Sequence, residues 1–181
     1  MKRKLFSSIL LIILISSLFS CMTYASAGNT QASMDAEAFL EFFQIDESIL
    51  FDTVSNAIES ERSINNFKYF RLIQGFSRYV NPTFSSQRYL VGEGEPGTSI
   101  GIMVYSIRNE NIVVQNQLRI QTIGASGLFN RMLFFNNIGD NNVLIAVRKN
   151  NETIYKRFVV NRKAEETKQR LEVLDIRLFS L

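Results

Sequence analysis

Apolar residues between positions 35 and 58 recur at helical spacing. Asp35 precedes one stripe at i, i+3, i+4 and i+7, and Asp46 precedes a second. The two stripes consist of Ala36, Phe39, Leu40 and Phe43, and of Ile49, Leu50, Val54, Ala57 and Ile58. Because aspartate is a common helix N-cap, the pattern predicts two short helices in tandem. Helices of this length are marginally stable alone, so we expect both to pack on the rest of the chain.

Residues 64–80 fit two interpretations. Their apolar side chains are spaced for a buried strand or for a helix that ends at Gly75. We favour the helix, which gives a predicted α-helical segment over residues 35–80. Asn81 and Pro82 then break the chain.

Short apolar runs separated by turn sequences predict β-strands from about Thr83 onward. The predicted strands cover residues 88–91, 98–107, 116–123, 130–136, 143–148 and 153–160. The predicted turns lie at residues 92–97, 125–127, 138–142 and 149–152. Strands with turns at roughly 8–12-residue spacing are typical of a sandwich or a barrel.

After Asn161 the apolar positions return to helical spacing. They predict a C-terminal helix within residues 163–181, with one apolar face that docks on the β module or on a partner. This face comprises Ala164, Thr167, Leu171, Leu174 and Leu178.

The first 27 residues have the pattern of a secretory signal peptide. Lys2, Arg3 and Lys4 precede an apolar run over residues 5–19, and an A-x-A cleavage site ends at Ala27. The run is shorter than the roughly 20 residues that span a bilayer. We expect cleavage between Ala27 and Gly28, a spacer over residues 28–34, and a protein that is secreted or held in the cell envelope.

Cys21 supports a competing interpretation of the same segment. Residues 18–21 resemble the lipobox of bacterial lipoproteins, in which the cysteine is lipidated and becomes the first residue. Phe19 departs from the small or aliphatic residue usual in that motif. Lipidation at Cys21 would place the protein on a membrane surface, and an uncleaved anchor is a third alternative.

The composition removes most catalytic chemistry. The chain has no histidine and no tryptophan, and its single cysteine lies in the predicted signal peptide. Thiol nucleophiles, imidazole bases and thiolate or imidazole metal sites are therefore excluded from the mature chain. We predict a non-enzyme without cofactor or metal. A hydrolase subdomain that uses only carboxylates is the alternative, as is an envelope lipoprotein that serves as an accessory subunit.

Charge is unevenly distributed along the chain. Residues 28–61 contain eight acids and no base, whereas bases predominate from Arg62 onward. Without the signal peptide the acids and bases balance, which argues against a nucleic-acid partner. We interpret the split as an acidic helical segment docked on, or tethered to, a basic module. A basic face for an anionic wall polymer or phospholipid is the alternative.

Two candidate ligand sites are interpreted as turns. Gly92 to Gly97 match G-x-G-x-x-G, but a predicted strand follows and Pro96 withholds a backbone donor, so dinucleotide binding is not expected. Glu93, Glu95 and Asp140 carry oxygen ligands suited to a hard cation, yet their spacing does not complete a binding loop.

Three further patterns concern the predicted strands. Ser126 lies between glycines with no histidine to activate it, and Asn151 opens a glycosylation sequon; both are interpreted as turn residues. Tyr105, Tyr155 and Arg157 form a candidate binding patch if they point outward on adjacent strands.

Three glycine-containing stretches resemble bacterial immunoglobulin-like domains of cell-surface proteins. They are Tyr89 to Ile100, Thr122 to Phe129 and Gly139 to Val143. The resemblance covers roughly residues 80–162 and implies an immunoglobulin-like β-sandwich over residues 81–162, within a mainly β fold flanked by helices. Such domains act as spacers, adhesion modules or substrate-positioning modules. We therefore expect an exported, non-catalytic envelope protein whose module binds a surface protein or a cell-wall polymer, with membrane contact only if Cys21 is lipidated.

Overall fold

A computed structural model describes residues 34–52, 64–116 and 118–178, with side chains described as far as Leu171. The predicted signal peptide, its cleavage site, Cys21 and most of the spacer lie outside the described residues, as do positions 53–63 of the second predicted helix. The chain divides into two units, residues 1–31 and 32–181, and every described residue belongs to the second.

The described chain is mainly β, with a short helix near each end. Helix α1 spans Ala36–Phe43, a 3-10 helix spans Glu47–Phe51, and helix α2 spans Glu165–Leu178. The strands are β1 (Asn66–Phe67), β2 (Phe70–Gln74), β3 (Val80–Thr83), β4 (Gln87–Gly94), β5 (Ser99–Arg108), β6 (Asn111–Val114), β7 (Ile120–Thr122), β8 (Leu128–Phe134), β9 (Gly139–Lys149) and β10 (Glu152–Arg162).

The strands form two sheets. The four-stranded sheet has the order β1-β2-β4-β8, and the six-stranded sheet has the order β3-β10-β9-β5-β6, with β7 also paired to β5. Most pairs are antiparallel, but β3 runs parallel to β10. The predicted strands at 88–91, 98–107, 130–136, 143–148 and 153–160 largely coincide with β4, β5, β8, β9 and β10. The strand predicted over 116–123 is longer than the observed β7, β6 was not predicted, and β9 begins at Gly139, inside a predicted turn.

The predicted hairpin turn at residues 149–152 is confirmed. Asn150 and Asn151 join β9 to β10 with φ angles of 53° and 63°. Two successive residues with positive φ form the turn whose twist matches that of paired strands, and asparagine tolerates this conformation better than most residues. The sequon at Asn151 therefore lies in a tight hairpin.

The helix predicted within residues 64–80 is wrong. This segment contains β1 and β2 of the four-stranded sheet, where β2 pairs antiparallel with β4, and it ends at Val80, the first residue of β3, which pairs with β10. The ring of Phe70 lies over Gly92, where an added Cβ would fall 2.5 Å from Phe70 Cε2. Burial between the two sheets thus determines the secondary structure of a segment whose apolar spacing fits a helix or a strand.

Apolar residues fill two layers. Between the sheets lies a core that includes Phe70, Leu90, Val104, Ile145 and Phe158. The opposite face of the six-stranded sheet is also buried, because α1 and the 3-10 helix cover it. This second layer joins the helical residues Phe39, Leu40, Phe43 and Leu50 to the strand residues Met103, Tyr105, Leu144 and Ala146.

Helix α1 is fixed to the sheet by shape and by hydrogen bonds. Asp35 caps it by accepting a hydrogen bond from the backbone N–H of Ala38 at 2.8 Å. Gly101 on β5 allows the helix to approach closely, since a Cβ there would lie 2.5 Å from Cε2 of Phe39. Arg148 donates to the carbonyl of Phe42 in the last turn, where the helix dipole favours a cation. The described part of the acidic segment, residues 34–52, is therefore docked on the module.

The C-terminal helix is present, and its side chains are exposed as far as Leu171, where their description ends. Side chains from Glu165 to Leu171 are accessible to solvent, and Leu171 is 53% exposed. Lys168 and Glu165 form an ion pair within the helix at 3.3 Å. The predicted docking of this helix on the module is thus not observed at Leu171.

Candidate interaction surface

The outer face of the four-stranded sheet carries large apolar side chains that face solvent. Strand β8 alternates between buried residues, such as Phe129 and Leu133, and residues whose side chains point away from the core. The register places Tyr89 of β4 opposite Met132 of β8. Both faces of β8 are therefore apolar, although only one of them is covered by the core.

We call this surface the outer-face patch. It comprises Ile73, Tyr89, Val91, Leu128, Met132 and Phe134. Apart from the half-buried Val91, these side chains are between 39% and 61% exposed. Large side chains half exposed in this way present on the order of 500 Å² together, which is within the range of the largest patch on a typical soluble monomer. Patches of this size are often functional sites.

Polar groups border the patch. Arg71 and Glu93 form an ion pair across β2 and β4, and both side chains are about half exposed. Asn130 lies within the patch, opposite Val91. An apolar centre with a polar rim is the usual arrangement of a protein–protein contact surface.

The binding patch predicted at Tyr105, Tyr155 and Arg157 is not formed. Tyr105 is fully buried, and its hydroxyl donates to the carbonyl of Leu50 at 2.9 Å. Burial raises the pKa of Tyr105, so the hydroxyl keeps the proton that it donates. Arg157 donates to Tyr105 Oη and to the carbonyl of Asp52. The helical segment contacts Tyr105 and Arg157, so Tyr155 is the only one of the three that remains exposed.

The acidic residues considered for a cation site do not come together. Glu93 pairs with Arg71, Glu95 with Lys149, and Asp140 accepts a hydrogen bond from Asn161. Within the described ranges, no three His, Cys, Asp or Glu side chains are grouped as metal ligands.

Both glycine-rich sequences form turns between strands, as predicted. The backbone N–H of Thr98 donates to Glu95 at 3.1 Å, and Gly97 has a φ of 82°. Strand β5 follows directly, where a dinucleotide site would require a helix. Ser126 lies in the second turn and accepts a hydrogen bond from Leu128 N at 3.4 Å.

Many cationic groups are engaged by acids or by backbone carbonyls. Lys68 contacts Glu152 at 2.7 Å, and this hydrogen bond lowers the pKa of Glu152 and raises that of Lys68. Arg88 donates to the carbonyl of Gly75, and Arg162 to that of Phe135. Much of the basic charge therefore holds the fold together, which weakens the case for a basic face that binds an anionic polymer.

Sequence reasoning missed the outer-face patch, although the signal is present. Leu128, Met132 and Phe134 alternate with Phe129 and Leu133, so both sides of the strand are apolar. A strand of this kind is buried on both faces or exposes one apolar face.

Comparison of the chain with protein-family models and with curated proteins found no match. No helix in the described part of the chain is long and apolar enough to cross a membrane.

Proposed function

We propose that this protein is a non-catalytic binding module of the cell envelope, and that it binds another protein through the outer-face patch. The observation that carries the proposal is the exposure of Ile73, Tyr89, Leu128, Met132 and Phe134 on one sheet face. Leaving these side chains in water forgoes the free energy of burial, which a protein partner would recover.

The sheet composition supports an immunoglobulin-like classification. In that classification, β2, β4 and β8 would take the places of strands A, B and E, and β5, β9 and β10 those of C, F and G. Strand β6, paired with β5, takes the place of the additional strand found in variable-type domains. Domains of this architecture serve many binding roles, so the patch rather than the fold indicates the activity.

Export is the second part of the proposal. It rests on the charged start, the apolar run and the A-x-A site that ends at Ala27. The mature chain would begin at Gly28 and would be secreted or held in the envelope. Lipidation of Cys21 remains the alternative, and would attach the same module to a membrane surface.

The chemistry of the patch favours a protein over a wall polymer. Anionic polymers are bound by arrays of cations, whereas the outer-face patch is apolar and its neighbour Arg71 is paired with Glu93. Protein interfaces combine an apolar centre with polar groups at the rim.

A pulldown from envelope extract tests the proposal. The mature chain should retain a protein that the double variant Ile73→Ser, Tyr89→Ser fails to retain. The control is the double variant Ile138→Ser, Ile107→Ser. Ile138 and Ile107 are 58% and 40% exposed away from the patch, against 58% and 41% for Ile73 and Tyr89.

The retained protein should then be purified and its affinity measured directly. Loss of two contact side chains should weaken binding at least about tenfold, which corresponds to about 1.4 kcal/mol. Equal affinities for the patch variant and the control would refute the proposed surface. Retention that depends on salt but not on Ile73 and Tyr89 would indicate an anionic polymer instead.

A further inference from the structure

Strand β8 is an open sheet edge. Among the described strands it pairs with β4 alone. The other sheet edges are protected, because β1 has two residues, β6 has four, and β3 contains Pro82. Strand β8 has seven residues without proline. Proteins usually block an edge of this length with charged side chains, a proline or a bulge, since it otherwise pairs with another strand. The one charged residue of β8, Arg131, is half-buried on the inner face of the sheet, beside Phe129 and Leu133.

The register shows which backbone groups of β8 are available. Gly94 N donates to Gly127 O, and Phe135 N donates to Ser86 O, both at 2.8 Å. Odd-numbered residues of β8 therefore bond to β4, and Asn130, Met132 and Phe134 direct their N–H and C=O groups away from it. None of these three side chains carries a charge. They also share one face of the sheet, because side-chain direction alternates with the same period.

We infer that a second copy of this chain pairs antiparallel with β8, on a twofold axis at Asn130. In this register Leu128 lies opposite Met132 of the partner subunit, and Met132 lies opposite the partner's Leu128. The two Asn130 side chains face each other on the axis and exchange amide hydrogen bonds. The edge is therefore complementary to itself.

Neighbouring registers are less favourable. An axis at Arg131 would place two cationic side chains directly opposite each other, which destabilises a sheet pair. An axis at Met132 would place the amide of Asn130 opposite Phe134 of the partner subunit. The register at Asn130 avoids both conflicts. It pairs Leu128 with the partner's Met132 on the outer face, and Phe129 with the partner's Arg131 on the inner face.

Pairing would extend the outer-face patch across two copies. Tyr89 lies beside Met132 in the four-stranded sheet, and Met132 would lie beside the partner's Leu128. The two sheets would become one sheet of twice the width. In this register five residues of β8, Leu128 to Met132, pair with the same strand of the second copy. Such an edge buries less than the roughly 800 Å² per partner of a standard interface, so we expect a dissociation constant in the micromolar range.

Cysteine crosslinking tests the register. The chain from Gly28 contains no cysteine, so Asn130→Cys introduces a single thiol on the axis. Residues in a hydrogen-bonded antiparallel pair have Cα atoms about 5.5 Å apart, within the range of a disulfide. Mild oxidation should convert the Asn130→Cys variant to a covalent dimer. The Asn111→Cys variant, on the exposed edge strand β6, should form far less.

Sedimentation of the unlinked protein tests the association. Wild type should show a concentration-dependent dimer that Met132→Lys abolishes and Val113→Lys retains. Met132 and Val113 are 39% and 41% exposed, and both lie on edge strands, so they are matched. The crosslinking result does not depend on the folding of the lysine variants.

Two results would overturn the inference. One is a wild-type protein that stays monomeric up to about 1 mM, a concentration at which even a weak dimer is populated, together with equal crosslinking of the two cysteine variants. The other is slow hydrogen exchange at Asn130, Met132 and Phe134 in a monomer, which would show that a segment of the same chain covers the edge. The inference is independent of the proposed partner, because Ile73→Ser, Tyr89→Ser should lose capture and keep the dimer.

Discussion

Burial rather than charge should hold the acidic segment on the module. Phe39 and Phe43 are fully buried against the six-stranded sheet, with ring centroids 5.0 Å apart. Burial of each ring contributes roughly 1.5–3 kcal/mol, whereas an exposed polar pair contributes about 0–1 kcal/mol. The double change Phe39→Ser, Phe43→Ser should therefore cost about 3–6 kcal/mol of docking free energy, and raise the undocked population by roughly two to four orders of magnitude.

A glutamate-specific protease measures this population. Glu37, Glu41 and Glu47 lie in the segment, and cleavage follows the undocked fraction when opening is fast. The double variant should be cut far faster than wild type. Phe42→Ser is the matched control, because Phe42 lies on the same helix and is 36% exposed.

The effect of salt on the cleavage rate distinguishes docking by apolar burial from docking by charge. About 0.5 M salt should accelerate cleavage of wild type only slightly, because close and partly buried contacts are poorly screened. The arginines that contact this segment donate to backbone carbonyls, as Arg148 does to Phe42 and Arg157 to Asp52. Release by salt as complete as that in the double variant would refute the argument. So would equal cleavage of wild type and double variant.

Two further changes probe the packing and the surface charge. Gly101→Ala should lower the melting temperature and cost about 1–3 kcal/mol of folding free energy, because the new Cβ meets the ring of Phe39. Gly124→Ala is the control and should leave the melting temperature unchanged, because a Cβ at Gly124 has nothing within 4 Å. The hydrogen bonds from Lys68 hold the pKa of Glu152 below its usual value. The resulting stability is present above the usual glutamate pKa and is lost as the pH falls through the lowered one. An NMR titration should show the Glu152 pKa rise in Lys68→Met, and an unchanged value would contradict this assignment.

The strands could be predicted wherever short apolar runs lie between clear turn residues. Asn150 and Asn151 mark one turn and Gly97 another, and the strands beside them lie close to their predicted positions. The segment with Phe67 and Phe70 was misassigned because its spacing fits both periods, and a bulge between Leu72 and Gln74 breaks the alternation. Strand partners that are distant in sequence determine the secondary structure of such a segment.

The interaction surface was harder to predict because alternation does not reveal which face is covered. Tyr105 lies on a strand whose two faces are both buried, one by the second sheet and one by the helical segment. Met132 lies on a strand with a similar apolar pattern but no cover on its outer face. Strands β5 and β8 differ only in that α1 packs on the outer face of β5, and this packing joins residues that are distant in sequence.

The parallel pairing of β3 with β10 has a mechanical consequence. Val80 pairs with Val159, and Thr83 pairs with Arg162. Val80 and Arg162 therefore lie at opposite ends of this strand pair. A force that pulls these two residues apart acts along both strands and stresses all of their hydrogen bonds at once. Tension between Gly139 and Arg162, which pair at one end of β9 and β10, would break the bonds one at a time. Optical tweezers should therefore record a higher rupture force for the first pulling direction, and equal forces would contradict this picture of a strand pair loaded in shear.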